Sequence, residues 1–119
     1  MTDSVTIYHN PRCSKSRETL SLLKDNGIEP SVVLYLETPP DAAALRKLLK
    51  MLGMTSAREL MRQKEDLYKS LNLADVNLSE DALIQAMVEN PKLMERPIVV
   101  AKGQARIGRP PEQVLEIIG

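Results

Sequence analysis

Two short apolar segments, residues 4–8 and Ser31–Leu36, flank an amphipathic helical pattern, and this pairing constrains the fold more than any other feature. Val5 and Ile7 alternate with polar neighbours, as on a strand with one buried face. Ser31-Val32-Val33-Leu34-Tyr35-Leu36 is β-branched and apolar almost throughout, which predicts a strand buried on both faces. Between them a helix is predicted from Cys13 or Ser14 to about Asp25, with Leu20, Leu23 and Thr19 on its inner face. Asn26-Gly27 closes it, Gly27 being suited to a left-handed cap. Two strands joined by a helix pack as a parallel, right-handed unit.

The centre of the chain reads as wholly helical. Thr38-Pro39-Pro40-Asp41 predicts a helix start, with a hydroxyl cap, proline in the first turn and an acid after it. Leu45, Leu48, Leu49 and Leu52 follow at helical spacing, and Gly53 ends the run. Ser56-Ala57-Arg58-Glu59 fits a capping box for a short helix to about Gln63, which would carry Arg62. Leu67, Tyr68 and Leu71 predict another. Ser79-Glu80-Asp81 starts a last helix with Leu83, Ala86 and Met87 inward, ending at Asn90-Pro91. The methionines read as core filler.

The pattern then returns to strands. Arg96-Pro97-Ile98-Val99-Val100-Ala101 and Ala105–Gly108 form a hairpin around Lys102-Gly103-Gln104, and Arg109-Pro110-Pro111-Glu112 opens a final helix through Ile118. The order predicts an α/β fold: a thioredoxin-like mixed four-stranded sheet with flanking helices and a central all-helical insertion. The whole chain, 1–119, reads as a single domain, with the sheet-bearing core over 4–37 and 96–119 and the insertion over 38–95.

Charge and composition exclude several function classes. Lys plus Arg is 16 and Asp plus Glu is 16, so no basic excess favours nucleic acid. There is no Phe or Trp, and three Tyr offer little for stacking on bases. No apolar run approaches the roughly 18 residues of a membrane span. Met1-Thr2-Asp3-Ser4 lacks the basic and apolar segments of a signal peptide. A single cysteine forms no internal disulfide, and a reducing, cytoplasmic setting follows. One Cys and one His do not make a zinc site, so no metal is expected.

The chemistry gathers in Tyr8-His9-Asn10-Pro11-Arg12-Cys13-Ser14-Lys15-Ser16-Arg17, which holds that cysteine and that histidine. A lone cysteine is ordinarily a small buried hydrophobe. Here Arg, Ser and Lys surround it at a predicted helix start, where unpaired N–H groups and the helix dipole lower a thiol pKa. Arg17, one turn on, shares its face, and Arg12 and Lys15 add positive potential. His9 is read as orienting the loop or polarising the site. The same helix end is a ready oxyanion site. A thiolate there could attack the central atom of a phosphate-like species, by ester cleavage or by reduction. The Cys-x5-Arg loop of cysteine phosphatases is absent, because the residue six beyond Cys13 is Thr19.

Taken with Tyr35-Leu36-Glu37-Thr38-Pro39-Pro40, Arg58-Glu59-Leu60-Met61-Arg62, Asn90-Pro91, Arg96-Pro97-Ile98-Val99-Val100 and Arg109-Pro110-Pro111-Glu112, this stretch resembles the glutaredoxin-dependent arsenate reductases of bacteria. The chain is similar to them over nearly its whole length. It reads as a short member that stops at Gly119 without a longer C-terminal tail. The resemblance implies that a Cys13 thiolate attacks arsenate, with His9 and Arg17 in the same catalytic loop motif. It implies anion-holding arginines at Arg62, Arg96 and Arg109, and a cis-proline position at Pro97. Glutathione would act as co-substrate, displacing an oxygen and reducing As(V) to As(III). Glutaredoxin would take part in resolving the adduct, with no tightly bound cofactor. The residues support this at one independent point: Ser16 stands where a Cys-x-x-Cys pair would have its second thiol, so the reductant must come from outside. Two rival readings are a monothiol glutathione-dependent reductase of another substrate and a thioredoxin-fold regulatory protein that binds RNA polymerase. An arginine set favours an oxyanion over the former, and the missing second cysteine disfavours the latter.

Overall fold

The computed structural model describes residues 5–118. The start of the first predicted strand at Ser4, the N-terminal segment and Gly119 lie outside the described residues. The chain divides into two compact units, one running to Thr38 and resuming at Arg96, the other Pro39–Glu95.

The first unit is built on a four-stranded mixed sheet in the order β2-β1-β3-β4. Strand β1 (Val5–Tyr8) pairs parallel with β2 (Ser31–Val33) and antiparallel with β3 (Ile98–Ala101), which pairs antiparallel with β4 (Gln104–Ile107). Helix α1 (Ser14–Asp25) connects β1 to β2. It ends in a Schellman motif: Ile28 N–H donates to the Leu23 carbonyl and Gly27 N–H to that of Lys24, with Gly27 at φ 77°. Ile7, Leu23, Val99, Ala101, Val114 and Ile117 form one buried cluster. Thus the alternation on β1 and the inner face of α1 meet the terminal segment, where Pro111–Val114 forms a 3₁₀ turn before helix α5 (Leu115–Ile118).

The second strand departs from expectation. It stops at Val33, and Val32 is 45% exposed. An edge strand has one neighbour, so its apolar residues need not all be covered. At Leu34 the carbonyl accepts N–H groups from both Glu37 and Thr38, folding 34–37 into a turn. The hairpin turn is also tighter than its three-residue reading. Lys102 and Gly103 both take positive φ (55° and 75°), as a two-residue type I′ turn requires, and Gln104 already belongs to β4.

Gly108 must be glycine for steric reasons. A Cβ there would sit 2.5 Å from Thr19 Oγ1 and 2.9 Å from Pro97 Cγ. Thr19 is fully buried and its hydroxyl donates to the Lys15 carbonyl, so neither neighbour can swing aside. Gly108→Ala should therefore cost about 1–3 kcal/mol by overpacking. Equal midpoints in denaturant titrations of the two proteins would show that α1 and the 97–108 segment can part without cost.

In the Pro39–Glu95 unit, helix α2 (Ala42–Leu52) starts later than predicted. Asp41, not Thr38, is its cap, with the carboxylate accepting Ala44 N–H at 2.8 Å. A residue before proline is pushed out of the helical region, so Thr38 and Pro39 cannot enter the helix. The Ser56–Glu59 capping box is present, but it opens a 3₁₀ turn, Ala57–Leu60, rather than a helix to Gln63. Met61 then bridges antiparallel to Met94, and Arg62 N–H donates to the Leu93 carbonyl. So the insertion is not all helical, and Arg62 follows a bridge. Helices α3 (Asp66–Ser70) and α4 (Glu80–Glu89) complete the unit, the latter capped by Ser79. Ile84 takes the inward place expected of Ala86 on α4.

Candidate active site

The thiol sits where β1 runs into α1. Asn10 closes a turn around the loop: its carbonyl accepts Cys13 N–H and its side-chain oxygen accepts Arg12 N–H, each at 3.0 Å. Cys13 is the N-cap residue, extended at φ −94°, ψ 124°. Its neutral side chain closes no cap hydrogen bond. The anion is another matter. Burial pushes the Cys13 thiol up, but the Ser16 N–H, the Arg96 charge, the Lys15 N–H and the Arg109 charge together bring it below the ordinary thiol value. Capping rules account for the two N–H donors, since Lys15 and Ser16 are the second and third residues of the helix.

Arg96 and Arg109 bring their charges to the sulfur from the open end of the hairpin, one from each strand. Arg96 directly precedes Pro97 and β3, and Arg109 directly follows Gly108 at the end of β4; both bonds to the following proline are cis. The Arg109 Nη2 lies 3.6 Å from Cys13 Sγ, and its Nε donates to the Arg96 carbonyl at 2.8 Å. Arg96 is the unusual one. Its Nε and Nη1 are buried and have no hydrogen-bond partner among the described residues. Buried guanidinium donors without partners are costly. Together with the sulfur and the Arg109 head they outline a place for a tetrahedral oxyanion, which would supply the missing acceptors.

The remaining predicted residues are placed differently. His9 makes no hydrogen bond to the thiol; its ring nitrogen is engaged elsewhere. It is buried, and its Nδ1 lies 2.6 Å from the hydroxyl of Ser16, which is fully buried. That hydroxyl also accepts Asn10 N–H at 3.0 Å. Burial first, then the Arg17 and Lys24 charges, hold His9 below the usual imidazole range, so it stays neutral at pH 7. The Arg17 guanidinium donates to the Pro11 carbonyl at 3.0 Å and braces the loop from outside. Its charge acts on His9, and the charges that lower the thiol are those of Arg96 and Arg109. The Lys15 amine pairs with Glu18 at 3.6 Å, so Lys15 helps the sulfur through its backbone. Arg106, on β4 three residues before Arg109, is engaged with Glu116 at 3.0 Å. Arg62 lies in the other unit, with Nη1 2.7 Å from Glu65.

Ser16 is the residue whose part the sequence reading missed. The signal was available in its spacing, since the third residue after an N-cap presents its amide to the cap atom.

Thiol reactivity tests the electrostatics. Alkylation follows the thiolate fraction. The rate for Cys13 should rise with pH and level off below the pH at which an ordinary thiol does so. Arg109→Gln removes one cation from the anion's side, so its midpoint should move up. If iodoacetamide kinetics give the same midpoint for both proteins, Arg109 has no hold on the sulfur.

Residues 8–117 match the family model described as the ArsC family. The chain belongs to the ArsC family. It is 83% identical to the uncharacterized protein YfgD of Escherichia coli (strain K12), over the full length of both. It is 52% identical to an arsenate reductase of Neisseria meningitidis serogroup A, covering 96% of this chain and 97% of that one. The solved structure of an arsenate reductase from Vibrio cholerae superposes with a TM-score of 0.96 at 62% identity, covering 98% and 99% of the two chains. The mixed sheet with flanking helices is thus the thioredoxin-like ArsC fold. Among the described residues no group of three or more His, Cys, Asp or Glu could hold a metal ion, and no helix is long and apolar enough to cross a membrane.

Proposed function

We propose that this chain is an arsenate reductase. Cys13, as thiolate, attacks the arsenic of an arsenate held by Arg96 and Arg109; an S–As bond forms, an As–OH bond breaks, and the hydroxide takes a proton from solvent and leaves as water. The observation that carries the reading is the pair of buried, unpartnered Arg96 nitrogens at a thiol of lowered pKa. Relatives named arsenate reductase, at 52% identity and nearly full coverage, support the choice of arsenate over other oxyanions. His9 serves as a neutral support of the loop through Ser16, and Arg17 braces it at Pro11. Arg62 is the third arginine of the proposal, carried by the motif match; its pairing with Glu65 occupies one guanidinium nitrogen.

Reducing As(V) to As(III) takes two electrons, which two thiols supply by leaving as a disulfide. The chain has a single cysteine, so at least one thiol must come from outside. Glutathione is the proposed co-substrate and glutaredoxin the protein that resolves the adduct. A glutathione-rich, reducing cytoplasm is the matching compartment. The test is arsenite formation by the purified protein with arsenate, glutathione and glutaredoxin. Turnover that needs both thiol components supports the full route; turnover with glutathione alone removes glutaredoxin from it; no turnover overturns the assignment.

A further inference from the structure

The loop carrying Cys13 has two flanks, and Arg96 and Arg109 occupy only one. In the sheet order β2-β1-β3-β4, Arg96 and Arg109 belong to the β3–β4 side of β1. On the β2 side of the same loop lies a cleft of about 260 Å³, lined by His9, Pro11, Arg12, Leu34, Leu36 and Glu37. It is formed where the turn after β2 passes the turn after β1. Its chemistry is mixed in a particular way. Leu34, Leu36 and Pro11 supply apolar surface, and Leu36 is left 40% exposed. Arg12 and Glu37 bring one charge of each sign, and neither head has an ionic or hydrogen-bonding partner among the described residues. Buried His9 contributes a neutral ring.

We infer that this cleft is the docking site of the external thiol, a small zwitterionic peptide of the glutathione kind, with its carboxylate end toward Arg12 and its ammonium end toward Glu37. The inference rests on the reading of Cys13 as the attacking thiolate, because it supplies the co-substrate that this reading requires. The oxyanion and the reductant would then reach the cysteine from opposite flanks of one loop. A simple anion needs only the cations on the β3–β4 side. A molecule with separated charges and an apolar body matches the β2-side cleft. Docking itself makes and breaks no covalent bond. In the following step the docked thiol sulfur bonds to arsenic, an As–O bond breaks, and the oxygen leaves as water with the thiol proton.

S-methylglutathione, which has no free thiol, separates docking from chemistry. In amide NMR titrations of the full chain it should shift Asn10, Arg12, Leu34, Leu36 and Glu37, and the shifts should weaken with added salt. Arg12→Gln and Glu37→Gln should each weaken this binding roughly two- to tenfold, as expected for one exposed charge contact. In turnover the same variants should raise the KM for glutathione by a similar factor. kcat at saturating glutathione and the KM for arsenate should hold. Shifts centred on residues beside Pro97 instead, or an absence of shifts, would overturn the site. Equal binding in wild type and both variants would do the same. The arsenate reading fails separately: binding in the cleft without arsenite formation keeps the thiol site and rejects the oxyanion substrate.

Discussion

Cys13→Ser should abolish arsenate turnover and leave the fold intact. The groups around the sulfur favour an anion through two N–H donors and two guanidinium charges. They can shift a thiol into its ionised form, but a hydroxyl starts far too basic to follow. No other residue can take over, because the chain has no second cysteine. Serine is also among the best N-cap residues, and its hydroxyl can accept the Lys15 or Ser16 N–H that a neutral thiol leaves open. The variant should therefore melt no lower than the wild type, and the cap could add about 0.5–1 kcal/mol. Arsenite formation by the serine variant at even a hundredth of the wild-type rate would sink the nucleophile assignment.

Arg96→Met should separate stability from function. The wild-type side chain buries two nitrogens without partners, an arrangement that costs stability in the empty protein. Methionine has a similar length, fills irregular space and brings no donor. The Arg109 Nε contact is with the Arg96 backbone carbonyl, so it survives the exchange. The melting temperature should hold or rise. Oxyanion affinity should fall by about 1.5–3 kcal/mol, the range for a lost charge-assisted hydrogen bond, which is roughly a ten- to hundredfold weakening. Denaturant titration and arsenate protection of Cys13 from alkylation measure the two halves. A variant that is clearly less stable but binds arsenate as before would mean that Arg96 is structural and that its partners lie elsewhere.

Where the sequence reading failed, the competing physics is identifiable. The run Val32–Leu36 is apolar like a central strand, yet its place at the edge of the sheet and the turn at Leu34 come from neighbours distant in sequence. Thr38 looks like a cap, but two following prolines displace the helix start to Asp41. The segment after Glu59 has helical spacing, and the Met61–Met94 bridge overrides it through pairing across some thirty residues. Arg17 is one helical turn from Cys13, which invites a direct contact. Its long side chain instead finds the Pro11 carbonyl.

The local sequence by itself determined the order of elements, the strand–turn–helix around Cys13 and the need for an outside reductant. These depend on periodicity, on cap and turn residues, and on a count of one cysteine. Physical rules of short range are enough for them. The tertiary structure alone decided which cations stand at the sulfur. Arg96 and Arg109 lie over eighty residues from Cys13, and nothing local distinguishes Arg109 from Arg106. The hairpin register sends Arg106 to Glu116 and brings Arg109 to 3.6 Å from the thiol. It likewise decided that His9 serves Ser16 rather than the thiol, because which side of a loop a ring turns to depends on what is packed beneath it.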